Sequence, residues 1–196
     1  MTTTPIKRDI IVIGASAGGV SVLQDLFRAL PADLPAIIGV VLHRGAWYGG
    51  NVSALYGKPG HIRVREAKEG DCLEHGTVYF APADHHLLFG ATRLQLSRGA
   101  KVHFARPAID RLFLSAARTF TTRVAGLLLT GANRDGGHGL REIKGHGGAT
   151  FVQRPDEAAH PEMPLSGLQE DAPALVSRHT LPALLIALAT GQLMTV

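Results

Sequence analysis

Apolar residues form two kinds of run along the chain. Strand-like segments that are mostly apolar, typical of strands buried on both faces of a parallel sheet, occupy residues 9–13, 36–43 and 124–130. Runs with helical apolar spacing occupy residues 20–30, 107–119 and 181–190. Residues 149–153 form one more short strand-like segment. Since strands and helices alternate, the pattern predicts an α/β fold with a doubly wound, mostly parallel, Rossmann-like sheet.

One region departs from this alternation. Residues 77–89 and 91–97 are two strand-like runs separated by a glycine, which predicts an antiparallel hairpin inserted into the fold. We find no linker, internal repeat or low-complexity segment. The sequence therefore predicts a single domain over residues 1–196, with residues 1–8 flexible.

The stretch IVIGASAGGV, residues 11–20, joins the first strand to the first helix through a glycine-rich turn. Such a turn can cradle a pyrophosphate on bare backbone as G-x-G-x-x-G. It can also present a nucleophilic serine as G-x-S-x-G. Gly14, Ser16 and Gly18 fit the second spacing, which makes Ser16 a candidate nucleophile.

Two further strand ends carry polar groups suited to that nucleophile. His43 ends the second strand, and Asp135 follows the run at 124–130, just before a helix. A serine hydroxyl needs an adjacent base, and the base needs a carboxylate that fixes its tautomer. Each residue alone is equally compatible with helix capping or ordinary polar packing. Together, at one edge of a sheet, they predict acyl-transfer chemistry.

Two other functional classes remain open on these residues. A nucleotide-binding oxidoreductase with a degenerate glycine fingerprint would place a ribose-binding acid after the second strand, where His43 and Arg44 stand instead. A signalling module could keep the fold without the activity. We expect no cofactor and no metal, because His85, His86 and His138 do not have the spacing of a zinc site.

The composition argues against some classes of partner and indicates the cellular compartment. The net charge is +4 and aromatic residues make up 6% of the chain. Dispersed arginines with so few aromatic residues argue against nucleic-acid binding. No apolar run is long enough to span a membrane. A lone cysteine, Cys72, suits a reducing cytoplasmic location, and we expect it to be a buried, inert thiol.

Six segments along the chain form a recognisable series: IGASAGG, VVLHRG, GTVYFAPADHHLLF, ARPAIDRLFLSAA, LLLTGANRDGGHGL and EMPLSGL. They resemble motifs of the CheB-type chemotaxis protein-glutamate methylesterases and follow the order of that family. The resemblance implies a serine hydrolase that removes methyl groups from glutamate γ-methyl esters of chemoreceptor helices, releases methanol and in some members deamidates receptor glutamines. By position, Ser16 is the nucleophile, His43 the base and Asp135 the orienting carboxylate.

The resemblance also suggests the residues around the triad. The backbone N–H groups of Ala17 and Ala132 would form the oxyanion hole. Arg106 and Asp110 are candidates for substrate contact, although an ion pair between them explains them equally well. Trp47 and Tyr48 could line the cleft.

This chain departs from the family pattern in two places. Ala132 and Asn133 stand where family members often have Met and Gly. The phospho-receiver domain that usually precedes the family's catalytic domain has no counterpart in residues 1–8. We therefore expect either an excised catalytic domain or a protein that a separate receiver protein regulates.

Overall fold

A seven-stranded parallel sheet forms the centre of the computed structural model, which describes residues 6–43, 51–171 and 173–192. Along the chain the strands are β1 (Ile10–Ala15), β2 (Ile37–Leu42), β3 (Arg63–Glu66), β4 (Thr77–Phe80), β5 (His86–Phe89), β6 (Leu94–Ser97), β7 (Val124–Leu128), β8 (Ala149–Gln153) and β9 (Ala174–Val176). The sheet has the order β3-β4-β2-β1-β7-β8-β9, and β5 pairs with β6 in a separate two-stranded sheet.

Helices cover both faces of the sheet, as the doubly wound prediction requires. They are α1 (Gly19–Ala29), α2 (Val52–Tyr56), α3 (Ile109–Phe120), α4 (Gly137–Gly145), α5 (Glu162–Asp171) and α6 (Leu181–Thr190), with short 3₁₀ turns at Thr121–Arg123 and Pro155–Glu157. Apolar residues of α1, α2 and α6 pack in one core cluster, and those of α3, α4 and α5 in another. The predicted α/β class is confirmed.

Strand β1 is apolar because helices cover both of its faces. Ile11 and Ile13 belong to the first core cluster, whereas Ile10 and Val12 belong to the second. Successive side chains point to opposite faces of a strand, so a strand covered by helices on both sides must be apolar at every position. All six residues of β1 are buried.

Strand register places three strand ends side by side. Ala15 at the end of β1 pairs with Leu42 at the end of β2, and Gly14 pairs with Leu128 at the end of β7. Since all three strands are parallel, the residues that follow them emerge at one edge of the sheet. In α/β sheets this carboxyl edge is where ligands bind.

The predicted boundaries of the hairpin were wrong. The run at 77–89 is not one strand: β4 pairs parallel with β2 and β3 in the main sheet, and only β5 pairs antiparallel with β6. Pro82 and the left-handed residue Asp84 (φ 58°) separate β4 from β5. All four residues of β4 are buried, as expected for a strand inside a two-sided sheet.

Cys72 is exposed, so the expectation of a buried thiol was wrong. It forms an isolated bridge with Arg93 at the periphery, where its backbone rather than its side chain is engaged. Its carbonyl oxygen accepts a hydrogen bond from the Tyr79 hydroxyl at 2.7 Å. Separately, no helix among residues 6–43, 51–171 and 173–192 has the length and apolarity to cross a bilayer.

Candidate active site

Ser16 lies in the turn between β1 and α1. Its backbone N–H donates to the Thr130 carbonyl oxygen at 2.9 Å, and its own carbonyl oxygen accepts from Gly19 N–H at 2.9 Å. Thr130 follows β7, and its hydroxyl also donates to the Ala17 carbonyl oxygen at 3.0 Å. The turn is therefore fixed to the neighbouring strand end on both sides of the serine.

Two glycines make room for this turn. Gly18 has φ 79°, a left-handed conformation that glycine adopts without steric cost. At Gly131 a β-carbon would lie 2.9 Å from Ser16 Cβ and 2.5 Å from Met163 Cε. Gly131 is thus a glycine because the serine turn and the start of α5 approach its backbone from both sides.

His43 lies next to the serine turn, at the end of β2. Its backbone N–H donates to the Ala15 carbonyl oxygen at 2.9 Å, which continues the register between β1 and β2. Its ring Nε2 lies 2.9 Å from Asp135 Oδ2, and the Asp135 side chain is fully buried. The imidazole and the carboxylate, 92 positions apart in the chain, are therefore hydrogen-bonded.

Asp135 is held by the start of α3. Its Oδ2 accepts from Ile109 N–H at 2.7 Å, and its Oδ1 accepts from Asp110 N–H at 3.0 Å. The first N–H groups of a helix have no partner within the helix and favour a negative charge. The buried carboxylate is thereby solvated by the protein, and its remaining acceptor capacity is directed at His43.

The second ring nitrogen of His43 is also occupied. Nδ1 lies 2.9 Å from Asn133 Nδ2. Asn133 Oδ1 accepts a hydrogen bond from Asp135 N–H at 3.1 Å. Because a backbone N–H can only donate, this contact identifies which atom of the Asn133 amide is the oxygen. Asn133 Nδ2 must then donate to Nδ1, so the imidazole proton resides on Nε2, facing Asp135. This is the tautomer that a general base needs if Nδ1 is to accept a proton.

The described residues contain no hydrogen bond from the Ser16 hydroxyl to His43 or to any other group. Asn133 holds the ring nitrogen to which a nucleophilic serine would donate. Catalytic hydrogen bonds are often long or unformed without substrate. In this resting arrangement, Asn133 and not Ser16 donates to Nδ1 of His43.

The two backbone N–H groups that the sequence analysis named for the oxyanion hole have no acceptor within the described part of the chain. They belong to Ala17, which is partly exposed, and to Ala132, which is exposed. Ala17 immediately precedes the Gly18 cap of α1, where the helix dipole favours negative charge. Both groups are available to bind an oxyanion.

Arg106 and Asp110 do not form the ion pair that sequence spacing allowed. Arg106 donates to Asp84 Oδ1 through Nε at 2.8 Å and Nη2 at 2.6 Å. Asp110 Oδ1 instead accepts from Gly136 N–H at 3.1 Å and Gly139 N–H at 2.7 Å, at the start of α4. Burial raises the pKa of Asp110, and the nearby charge of Asp135 raises it further.

A cavity of about 390 Å³ opens beside His43. Arg106 lines it, and the other lining residues are Leu42, His43, Ala81, Ala83, Asp84, Lys101, Phe104, Ala105 and Pro107. Asp110, 6% exposed, is not among the residues that line it. Trp47 and Tyr48, expected near the cleft, lie outside the described residues.

Of the adjacent histidines His85 and His86, His86 is buried and has a structural role. The fully buried His86 accepts from Ala108 N–H through Nδ1 at 3.1 Å, and its Nε2 lies 3.0 Å from the Ala100 carbonyl oxygen. Burial lowers the pKa of His86, which favours the neutral ring. Across residues 6–43, 51–171 and 173–192, no three His, Cys, Asp or Glu side chains gather as a metal site.

Comparison with known proteins assigns the family. The sequence profile of the CheB methylesterase matches residues 11–185. The chain belongs to the CheB methylesterase family. The structure is also similar to the crystal structure of the Thermotoga maritima CheB methylesterase catalytic domain, with a TM-score of 0.84 and 28% identity, over 93% of this chain and 100% of that one.

Curated relatives of this CheB-family chain carry one enzyme name. Protein-glutamate methylesterase/protein-glutamine glutaminase 2 of Anaeromyxobacter dehalogenans is 43% identical over 150 residues, 76% of this chain and 43% of that protein. A Leptospira interrogans protein, provisionally named for the same activities, is 38% identical over 162 residues, 82% of this chain and 84% of that protein. The chain thus spans less than half of the first relative and most of the second.

Sequence reasoning missed two side chains of the site. Asn133 was noted only as a departure from the family pattern, and Met163 only as part of a late motif. Nothing local in the sequence places Asn133 against His43, because 90 positions separate them. The glycine at 131 was a usable signal, since a glycine directly after a buried strand indicates a close approach of other groups.

Proposed function

We propose that this chain is a protein-glutamate methylesterase in which Ser16 is the nucleophile, His43 the general base and Asp135 the orienting carboxylate. The observation that carries the proposal is the hydrogen bond between His43 Nε2 and the buried Asp135, at the strand end adjacent to Ser16. The family membership supports the same chemistry. The nucleotide-binding alternative is not favoured by any relative reported above.

The reaction begins when the Ser16 hydroxyl replaces the Asn133 amide at His43 Nδ1. As the serine oxygen attacks the γ-ester carbonyl, its proton passes to Nδ1, and the imidazolium that forms is stabilised by Asp135. The N–H groups of Ala17 and Ala132 hold the developing oxyanion. A donor of this kind contributes about 10²–10³ in rate.

Collapse of the tetrahedral intermediate breaks the bond to the methoxy group, which takes the proton from His43 and leaves as methanol. Water then enters, gives a proton to His43 and attacks the acyl-serine. The second collapse restores the Ser16 hydroxyl and releases the free glutamate. In this reaction, His43 accepts or donates the proton at every step.

We propose methylated chemoreceptor cytoplasmic helices as the substrate, with receptor glutamines as a second substrate for deamidation. Arg106, at the wall of the cavity beside His43, is our candidate for substrate contact. Asp110 acts indirectly, through its bonds to the start of α4.

The direct test is methanol release from receptor-bearing membranes carrying labelled methyl esters. We expect wild-type protein to release volatile label and Ser16→Ala to release almost none. A fluorophosphonate should modify Ser16 covalently, displacing fluoride. Near-native turnover by Ser16→Ala would exclude Ser16 as the nucleophile, and an inert wild type would favour a non-catalytic signalling module.

A further inference from the structure

The turn at residues 102–105 has an unusual composition for its geometry. Val102 and Ala105 exchange two backbone hydrogen bonds, of 3.1 and 2.8 Å, around a two-residue turn. Its central residues, His103 and Phe104, both have positive φ, at 48° and 62°. Hairpin turns with this pattern strongly favour Asn-Gly, because residues with a larger side chain are strained there.

Folding gains little from the Phe104 side chain. Phe104 is 97% exposed, whereas the other large exposed apolar side chains of the described residues, Ile6, Leu165 and Leu175, are between 45% and 54% exposed. A strained backbone and a solvent-exposed ring are both unfavourable for the isolated protein. Such strain is typically retained at functional sites.

The turn is also firmly tied to the rest of the site. Arg106 donates through Nη1 to the carbonyl oxygens of Arg98 and Gly99, at 2.9 and 3.0 Å, in addition to its bonds to Asp84. His103 Nε2 lies 3.3 Å from Asp110 Oδ2. His103, within the turn, therefore contacts the helix α3 that holds Asp135, and Arg106, directly after the turn, is bonded to residues 84, 98 and 99.

Phe104 stands at the cavity that His43 lines, together with Lys101. Lys101 is exposed, and no carboxylate in the described part of the chain pairs with it. An apolar ring and an unpaired cation thus flank the entrance. A methyl ester alone is too small to cover them, whereas a polypeptide that carries the ester would reach both.

We propose that Phe104 is a docking contact for the substrate protein, packing against the apolar surface of the segment that flanks the esterified glutamate while Lys101 faces its carboxylates. This inference rests on the proposed function. It makes Phe104 a specificity-determining residue that acts on substrate binding and leaves the chemistry at Ser16 unchanged.

The test uses two variants that remove the ring. Phe104→Gly also relieves the strained backbone, whereas Phe104→Ala keeps it, and Leu175→Ala on β9 is a matched control for an exposed apolar side chain. With methylated receptor membranes we expect KM to rise about tenfold in both Phe104 variants, with kcat and the rate of fluorophosphonate capture unchanged. Phe104→Gly should also melt at a higher temperature than wild type.

Unchanged KM in both Phe104 variants would overturn the proposal, and so would an equal loss of fluorophosphonate capture, which would place the effect at Ser16. Co-sedimentation of each variant with the same membranes, in a Ser16→Ala background, measures docking without turnover. Weaker sedimentation of the Phe104 variants supports docking even if wild type releases no methanol, and unchanged sedimentation overturns it.

Discussion

Asp110 and Asp135 anchor each other's helices. Asp135, just before α4, accepts the N–H groups of Ile109 and Asp110 at the start of α3. Asp110, in the first turn of α3, accepts the N–H groups of Gly136 and Gly139 at the start of α4. This reciprocal pairing fixes the carboxylate of Asp135 relative to His43 from two directions.

The reciprocal pairing makes stability depend on pH through Asp110. Its pKa is raised by burial and by the neighbouring charge of Asp135, while the Gly139 N–H group and the charges of His103 and His138 act in the opposite direction. Between the ordinary aspartate pKa and this raised value, the folded state holds a proton that the unfolded chain releases. The contribution of Asp110 to the free energy of unfolding is therefore greatest in acid and falls as pH rises through that window.

Asp110→Asn keeps an acceptor oxygen for the two glycine N–H groups and removes the titration. We expect wild type to lose stability relative to Asp110→Asn as pH rises through the window, measured by denaturant unfolding at a series of pH values. The difference between the two proteins removes the pH dependence of stability that comes from other groups. Asp9 is one of these groups: burial raises its pKa, but the hydrogen bond and charge of Arg123 outweigh burial, so the pKa is lowered. A constant difference at every pH would contradict the prediction.

Asp135→Asn tests the orienting role of the carboxylate. The variant keeps an oxygen for the N–H group of Asp110, while the amide nitrogen that replaces Oδ2 can donate to His43 Nε2 and leaves Ile109 N–H without its acceptor. That favours a proton on Nδ1, the nitrogen that accepts one from Ser16 in the proposed mechanism. We expect methanol release to fall about 10³–10⁴-fold with the circular dichroism spectrum unchanged. Activity within tenfold of wild type would show that Asp135 does not set the tautomer.

The sequence was sufficient for the central strands β1, β2 and β7 and for their three ends, because these depend on local patterns. A strand buried on both faces must be apolar throughout, so β1 and β2 were visible as continuous runs, and Ser16 and His43 marked their ends. The bonds between Asp110 and α4 were not predictable, since i, i+4 spacing suggested Arg106 as the partner. Arg106 instead pairs with Asp84, which lies 22 positions away and follows a break in the chain's strand pattern.

Asn133 offers a way to increase the reactivity of Ser16. In the proposed mechanism its amide and the serine hydroxyl bind the same ring nitrogen, Nδ1 of His43, and a hydrogen bond of this kind contributes about 0.5–1.5 kcal/mol. Removing it with Asn133→Gly should speed fluorophosphonate capture at Ser16 by roughly 2–10-fold. The ¹⁵N resonance of Nδ1 should also move, because it loses its donor.

Asn133→Ala serves as the companion variant, since it removes the amide without adding the backbone freedom of glycine. Both variants should react faster than wild type. If both react more slowly, Asn133 assists the base instead of competing with the nucleophile, and the proposed order of hydrogen-bond exchange at Nδ1 is wrong.

Gly131→Ala tests whether the close approach of Met163 and Ser16 is required for activity. The added β-carbon would lie 2.5 Å from Met163 Cε and 2.9 Å from Ser16 Cβ, so one of them must move. Overpacking of this kind costs about 1–3 kcal/mol, and displacement of the serine should reduce fluorophosphonate capture more than tenfold. The matched control is Gly145→Ala at the end of α4, where a β-carbon meets nothing within 4 Å. The control should stabilise the protein by about 0.5–1 kcal/mol with capture unchanged, and a Gly131→Ala protein that reacted as fast as this control would show that the contact does not position Ser16.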